Sequence, residues 1–250
     1  MADLTGRTAL VVGASRGLGR GIALELDAGG AAVVAVARDP APLAALTAGT
    51  RIRTEAADAA ADGTAGELIS RYQPGILVLV AGAIPVNLPL HEHTWETFSR
   101  HWDADVRIAF GWLQAALLAP LRPGSRVIVV SSGAAVFGSP ASGGYAGAKA
   151  TQRFIAAYAA DESRRAGLGI SVTAVLPAMS PAGDVGRAGI RAYAARTGQT
   201  EEEFLANLGQ PLTAEAAGAA VAELVQSDPA TLAPAYLLTP AGLRDLPAPA

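Results

Sequence analysis

The sequence predicts an α/β protein built on a doubly wound parallel sheet. Short β-branched or aliphatic runs alternate with longer, alanine-rich amphipathic stretches along the chain, as in a succession of βαβ units. The apolar runs are nearly continuous, which is typical of parallel strands covered on both faces. A glycine-rich segment from Gly13 to Gly19 separates the first strand from the first helix.

The periodicity places seven strands and seven helices in alternation. The predicted strands cover residues 9–12, 32–37, 51–56, 76–80, 126–131, 170–176 and 235–238. The predicted helices cover residues 17–28, 42–47, 64–72, 96–118, 144–166, 200–208 and 214–226.

Length and composition indicate one globular domain over residues 1–250. Apolar residues make up 51% of the 250 residues and charged residues 16%, which excludes a disordered chain. The net charge of -3 leaves no basic surface for nucleic acid or an anionic membrane. Cysteine is absent, so disulfides and thiolate chemistry are excluded. With no signal-peptide pattern and no apolar run of membrane-spanning length, we expect a cytoplasmic protein.

Two further segments have a distinctive composition. The region 177–210 begins with a long stretch rich in Gly, Pro and Ala, and we expect it to form a substrate-binding loop or lid. Tyr193, Phe204 and Leu208 in this region fit either the pocket wall or the core. The end of the chain, 245–250, is rich in proline and is expected to be a flexible tail.

The segment Gly13 to Gly19 has the properties of a phosphate-binding turn. Three glycines between a strand and a helix let the backbone approach a pyrophosphate and aim free N–H groups at it. An ordinary tight turn is the alternative interpretation. The cofactor-contacting residues predicted here are Gly13, Ser15, Arg16, Leu18 and Gly19.

The residue after the second strand indicates which dinucleotide is bound. An acidic residue there selects the ribose 2′-hydroxyl of NAD, whereas an arginine favours the 2′-phosphate of NADP. Here the strand is followed by Arg38, and Arg16 of the glycine segment is expected nearby. Two guanidinium groups near one phosphate predict NADP(H). The alternative interpretation is a surface Arg38 paired with Asp39.

A serine, a tyrosine and a lysine form the candidate catalytic group. Ser132 follows a buried strand, Tyr145 comes thirteen residues later, and Lys149 is the only lysine of the chain. Lys149 lies four positions after Tyr145, so the two side chains share a helix face. Because a free phenol has a pKa of about 10, it needs a neighbouring cation to act as a base near neutral pH. We expect Tyr145 to transfer a proton and Ser132 to hold the substrate oxygen.

On these motifs the chain resembles the short-chain dehydrogenase/reductase family, classical type. The glycine segment resembles the family's cofactor loop, and Ser132, Tyr145 and Lys149 resemble its catalytic serine and YxxxK. The resemblance implies a Rossmann-type three-layer sandwich with a seven-stranded parallel sheet, and a homotetramer or homodimer. It also implies catalytic Ser132, Tyr145, Lys149 and Asp105, and further cofactor contacts from Asp58, Ala81, Gly82, Tyr145, Lys149, Pro177 and Ala178.

The chain departs from the family pattern at three places. Leu79-Val80-Ala81-Gly82 stands where the family has Asn-Asn-Ala-Gly, and Pro177-Ala178 stands where it has Pro-Gly. Asp105 takes the position of the catalytic asparagine. Its carbonyl and carboxylate are expected to hold a water, and its charge is expected to pair with Lys149 and weaken the attraction on the phenolate.

Three functions remain open at this stage. The leading prediction is an NADP(H)-dependent oxidoreductase that moves a hydride between nicotinamide and a small-molecule carbonyl or secondary alcohol. A non-redox enzyme on the same fold, such as a dehydratase, cyclase or epimerase, is the second. An NADP-binding protein with little turnover is the third. No metal site is predicted, since the pair His91 and His93 lacks a further ligand.

Overall fold

The computed structural model describes residues 3–249 as one sheet flanked by helices. The sheet has eight strands in the order β3-β2-β1-β4-β5-β6-β7-β8, and the first seven of that order are parallel. The strands are β1 Thr8–Val12, β2 Ala32–Ala37, β3 Arg53–Ala56, β4 Ile76–Leu79, β5 Arg126–Val130, β6 Ser171–Pro177, β7 Ala235–Thr239 and β8 Gly242–Leu246. The predicted doubly wound sheet and its seven parallel strands are therefore confirmed.

The predicted flexible tail over 245–250 is wrong for its first two residues, which belong to β8. β8 runs antiparallel to β7, and Asp245 and Leu246 pair with Tyr236 and Ala235. β8 lies at the sheet edge and is only partly covered, so it lacks the continuous apolar run of central strands such as β1 and β4. The Arg153 guanidinium also donates a hydrogen bond to the backbone carbonyl of Pro247 at 2.6 Å. Ala250 lies outside the described residues.

Helices cover both faces of the sheet. They are α1 Gly17–Ala28, α2 Pro40–Ala44, α3 Thr64–Tyr72, α4 Trp95–His101, α5 Arg107–Leu118, α6 Ala134–Phe137, α7 Tyr145–Arg165, α8 Asp184–Thr197, α9 Glu201–Leu208 and α10 Ala214–Gln226. α1 and α10 pack on one face of the sheet, and α3, α5 and α7 pack on the other. The result is the expected three-layer sandwich with an apolar core on each side of the sheet.

Two helix predictions need correction. The helix predicted over 96–118 is interrupted by a π-helical turn, Trp102–Val106, which separates α4 from α5. Within the region 177–210, the helix predicted over 200–208 is present as α9, and α8 is a helix that the sequence analysis did not predict. Glycines made α8 resemble a loop, yet Gly186 is there because a Cβ would lie 1.5 Å from the Ser180 carbonyl oxygen. Close packing explains this glycine better than chain flexibility does.

No helix within residues 3–249 combines the length and apolar character needed to cross a bilayer.

Candidate active site

The site lies at the carboxyl edge of the sheet, where the strand order reverses. β1 is flanked by β2 on one side and β4 on the other, so the chain connections leave in opposite directions and open a crevice between them. A cavity of about 1060 Å³ occupies this edge. Every catalytic and cofactor-binding residue predicted from the sequence lines it: Gly13, Ser15, Arg16, Leu18, Gly19, Arg38, Asp58, Ala81, Gly82, Asp105, Ser132, Tyr145, Lys149, Pro177 and Ala178.

The glycine segment makes one wall by close backbone packing. Gly13 has φ +95°, and a Cβ there would lie 2.5 Å from the backbone nitrogen of Ala81. A Cβ on Gly19 would lie 2.1 Å from the Gly13 carbonyl oxygen. These contacts exclude side chains at both positions and leave the start of α1 open to the cavity.

The two arginines predicted for a 2′-phosphate have different surroundings. Arg38 is exposed, and within residues 3–249 no ion pair joins it to Asp39. The Asp39 carboxylate instead accepts a hydrogen bond from Ala41 at the start of α2, at 3.0 Å. Arg16 forms an ion pair with Asp184 at 2.6 Å, a contact that the sequence did not predict. Arg38 is therefore the less engaged of the two cations.

The remaining predicted cofactor positions lie around the same cavity. The Asp58 carboxylate accepts a hydrogen bond from Ala60 at 3.0 Å, which fixes the turn after β3. Pro177 is the last residue of β6 and Ala178 follows it, and the Pro177 carbonyl and the Ala178 N–H are already hydrogen-bonded within the protein. Gly133 donates to the Pro177 carbonyl at 2.8 Å, and Ala178 donates to that of Leu238 at 2.7 Å.

The end of β5 and the start of α7 bring the serine, tyrosine and lysine to one wall. The Ser132 hydroxyl accepts a hydrogen bond from Ala134 at 3.2 Å, and the side chain is half-buried. Tyr145 is the first residue of α7 and is also half-buried. The Lys149 ammonium lies 5.6 Å from the centroid of the Tyr145 ring. Ser131 donates to the Lys149 carbonyl at 2.7 Å and so ties β5 to α7.

Asp105 is buried in the π-helical turn and bonds to three partners. One carboxylate oxygen, Oδ1, lies 2.9 Å from Lys149 Nζ. The other, Oδ2, accepts from the Ala83 backbone at 2.9 Å and lies 3.0 Å from Nδ1 of His101. The predicted pairing of Asp105 with Lys149 is present, and His101 is a partner that the sequence analysis missed.

The backbone carbonyl of Asp105 has a side-chain partner that the sequence analysis did not predict. It accepts a hydrogen bond from Gln152 Nε2 at 2.9 Å. Gln152 Oε1 in turn accepts from Lys149 Nζ at 2.9 Å. His101 lies four residues before Asp105 and Gln152 three after Lys149, so helical spacing was the available signal for both.

The buried ion pair changes the pKa of both Asp105 and Lys149. Burial alone would raise the pKa of Asp105, but the Lys149 ammonium and the His101 hydrogen bond reverse that effect and hold it well below its usual range. Burial alone would lower the pKa of Lys149, but Asp105 first, and Tyr145 second, raise it above its ordinary value. Both groups are therefore charged at neutral pH.

The other end of the cavity is lined with polar and apolar groups from the α8 region. Tyr193 lines the cavity, and its hydroxyl lies 2.8 Å from the Ser139 hydroxyl. Phe204 stacks on the Tyr193 ring with centroids 6.4 Å apart and does not line the cavity. Leu208 is exposed and also lies outside the lining.

His93, one of the two histidines considered for a metal site, contacts polar groups of the protein instead. His93 lies 3.0 Å from the Thr97 hydroxyl and 3.1 Å from the Leu88 carbonyl oxygen. Among residues 3–249, no group of three His, Cys, Asp or Glu side chains is placed to hold a metal ion.

Comparison with known proteins identifies the family. The sequence model described as short chain dehydrogenase matches residues 7–185. The chain belongs to the short-chain dehydrogenase/reductase family. It is therefore a member of a family of oxidoreductases, as the motifs predicted.

Curated relatives within the family are named as reductases. A hydroxynaphthalene reductase-like protein of Metarhizium robertsii is 34% identical over 188 residues, covering 70% of this chain and 68% of the relative. A hydroxynaphthalene reductase of Aspergillus fumigatus is 33% identical over 186 residues, covering 70% and 67%.

Solved structures of the family share the fold. A 3-oxoacyl (acyl-carrier-protein) reductase from Agrobacterium tumefaciens, with NADP bound, has a TM-score of 0.73 at 26% identity and covers 88% of each chain. A short chain dehydrogenase from Burkholderia cenocepacia, in complex with NADP, has a TM-score of 0.75 at 26% identity, covering 93% of this chain and 96% of the other.

Proposed function

We propose that the protein is an NADP(H)-dependent oxidoreductase that moves a hydride between the nicotinamide and a carbonyl or secondary alcohol, with Tyr145 as general acid and base. The observation that carries the proposal is the position of the Lys149 ammonium, 5.6 Å from the centroid of the Tyr145 ring. That pair lines the same cavity as the glycine segment. One cavity thus joins a dinucleotide wall to a proton-transferring group.

The residues of the cavity fit a dinucleotide. Gly13 and Gly19 leave the start of α1 open for a pyrophosphate. Ala81 and Gly82 are small residues of the cavity wall that leave room for the cofactor. Arg38 and Arg16 both line the cavity and supply positive charge for a 2′-phosphate. Two structural relatives that hold NADP support this choice over NAD.

Tyr145, Ser132 and Lys149 divide the proton chemistry between them. When bound, the reduced cofactor supplies the hydride that the carbonyl carbon accepts. Ser132 donates a hydrogen bond to the carbonyl oxygen, and Tyr145 gives that oxygen its phenolic proton as the alcohol forms. Lys149 stabilises the phenolate that remains. In the oxidative direction the same phenolate removes the hydroxyl proton.

We propose a flat, mainly apolar ketone as the substrate class. Ile84, Pro85, Phe137 and Met179 line the cavity, and the hydrogen-bonded pair of Ser139 and Tyr193 offers the polar contact. Relatives named as hydroxynaphthalene reductases support an aromatic bicyclic ketone among the candidates.

A second copy of the chain is the macromolecular partner that we propose, as a homodimer or homotetramer. Helices α5 and α7 pack together, and both carry large exposed apolar side chains. Phe110 is 55% exposed, Leu118 77% and Tyr158 61%. Light scattering of the purified protein tests this, and a monomer at micromolar concentration contradicts it.

One observation favours a non-redox use of the site as the second candidate. Lys149 is tied to a buried carboxylate, which opposes the formation of a phenolate beside it. A dehydratase, cyclase or epimerase needs a positioned phenol but no hydride transfer.

Isotope transfer separates the candidates. NADPH carrying deuterium at the transferable C4 position is incubated with bicyclic and aliphatic ketones, and the products are analysed by mass spectrometry. We expect the alcohol product to gain one deuterium. Product without deuterium supports the non-redox enzyme, and cofactor binding without any product indicates a binding protein.

A further inference from the structure

Gln152 lies on α7, three residues after Lys149, and has no role in the proton chemistry described above. Its side chain is 2% exposed, and both ends of its carboxamide are hydrogen-bonded. A buried amide that is satisfied at both ends is held in one orientation, because any rotation would leave a donor or acceptor unpaired. Gln152 is therefore held in one orientation beside Lys149, although it does not itself line the cavity.

The two bonds of Gln152 join two different elements. Its Nε2 donates to the carbonyl oxygen of Asp105 in the π-helical turn, at 2.9 Å. Its Oε1 accepts from Lys149 Nζ on its own helix α7, also at 2.9 Å. A widened turn of this kind is frequent at functional sites, because it presents backbone groups to partners outside the helix. The carboxamide thus connects the backbone of Asp105 to the ammonium of Lys149.

Two oxygen atoms hold the Lys149 ammonium. Its Nζ donates a hydrogen bond to Gln152 Oε1 and forms an ion pair with Asp105 Oδ1, each over 2.9 Å. The centroid of the Tyr145 ring lies 5.6 Å from the same Nζ. A lysine side chain has several rotatable bonds, so without both acceptors its ammonium would be free to move relative to the phenol.

We propose that Gln152 is a positioning residue, which fixes the Lys149 ammonium beside Tyr145 by linking it to the backbone of the π-helical turn. The proposal rests on the proposed function, since it assigns Gln152 to the proton-transfer group of that same site. The titratable groups that face this ammonium are Asp105 from the π-helical turn, with His101 of α4 behind it, and Tyr145 from α7.

Two variants test the role. Gln152→Met keeps the side-chain length and removes both hydrogen bonds, so kcat for ketone reduction is expected to fall on the order of 10-fold while both KM values stay within about 2-fold. Gln152→Glu replaces a neutral group beside the ammonium with a second carboxylate. It is expected to move the midpoint of the pH–rate profile for alcohol oxidation upward by about half a unit or more.

Gln226→Met is the matched control, because the Gln226 amide bonds only to the carbonyl of Ala222 within its own helix, at 2.8 Å. It is expected to keep the parent's kcat and profile. If Gln152→Met does not fold, the profile of Gln152→Glu decides. The positioning role is wrong if Gln152→Glu keeps the parent's midpoint, or if Gln152→Met raises KM and leaves kcat unchanged.

Tyr145→Phe, measured in parallel, separates the two proposals. If Tyr145→Phe abolishes turnover while the Gln152 variants behave like the parent, only the role of Gln152 fails. If Tyr145→Phe keeps its activity, the proposed function fails, and the role of Gln152 fails with it.

Discussion

Lys149 Nζ lies 2.9 Å from Asp105 Oδ1, and both side chains are almost completely buried. A buried carboxylate and ammonium at this separation attract strongly, because little water is present to screen them. The pair therefore holds the only lysine of the chain in its charged form next to the ring of Tyr145. The same carboxylate opposes a negative charge on the phenol.

Asp105→Asn tests this opposition. The neutral amide keeps a hydrogen-bond acceptor for Lys149 but removes the negative charge, so a phenolate forms more readily. We expect the midpoint of the pH–rate profile for alcohol oxidation to move to lower pH by roughly one unit, equivalent to ~1.4 kcal/mol. The profile is measured under saturating cofactor, with circular dichroism as the check of folding. An unchanged midpoint contradicts an electrostatic role for Asp105.

Gly82→Ala tests how closely the carboxylate is packed. A Cβ at position 82 would lie 2.5 Å from Asp105 Oδ1, which Lys149 holds in place. We expect a loss of ~1–3 kcal/mol of unfolding free energy in urea, typical of overpacking, together with reduced activity. Gly66→Ala in α3 is the control, because a Cβ there meets no atom within 4 Å. Equal stability of Gly82→Ala and the parent would show that Asp105 can move aside.

Arg38→Asp tests the choice of cofactor. The substitution replaces the less engaged cation with an acidic side chain that repels a 2′-phosphate and accepts a bond from a ribose hydroxyl. We expect the ratio of kcat/KM for NADPH over NADH to fall by on the order of 100-fold. Arg53→Asp on β3, another exposed arginine, is the control and should leave the ratio unchanged. A preference for NADPH that survives Arg38→Asp would assign the 2′-phosphate to Arg16 alone.

The central strands of the sheet could be predicted from the sequence because they are buried on both faces. Continuous apolar runs such as the one from Ile76 to Leu79 leave a clear signal, and so does a glycine segment between strand and helix. β8 gave no such signal, since an edge strand is covered on one side only. α8 was missed because Gly186 and Gly189 lower helix propensity, and the packing against Ser180 that requires Gly186 is visible only in three dimensions.

Site residues that belong to one local motif could be predicted from the sequence, whereas contacts between distant segments could not. Tyr145 and Lys149 share a helix face, so their proximity follows from their spacing. The contact of Arg16 with Asp184 joins segments far apart in sequence, and no local pattern indicates it. For Gln152 the helical spacing indicates only its contact with Lys149, because its other partner is the backbone carbonyl of Asp105 and every residue has such a carbonyl.

The most direct test of the account is the rate of ketone reduction by Tyr145→Phe with saturating NADPH. Removing one hydroxyl deletes the proposed proton donor and keeps the ring that packs against His101. We expect kcat to fall by ~10²–10⁴-fold. Tyr158→Phe, on an exposed part of the same helix, should leave kcat unchanged. Tyr145→Phe turning over at the parent's rate would contradict the assignment of Tyr145 as the acid and base of the reaction.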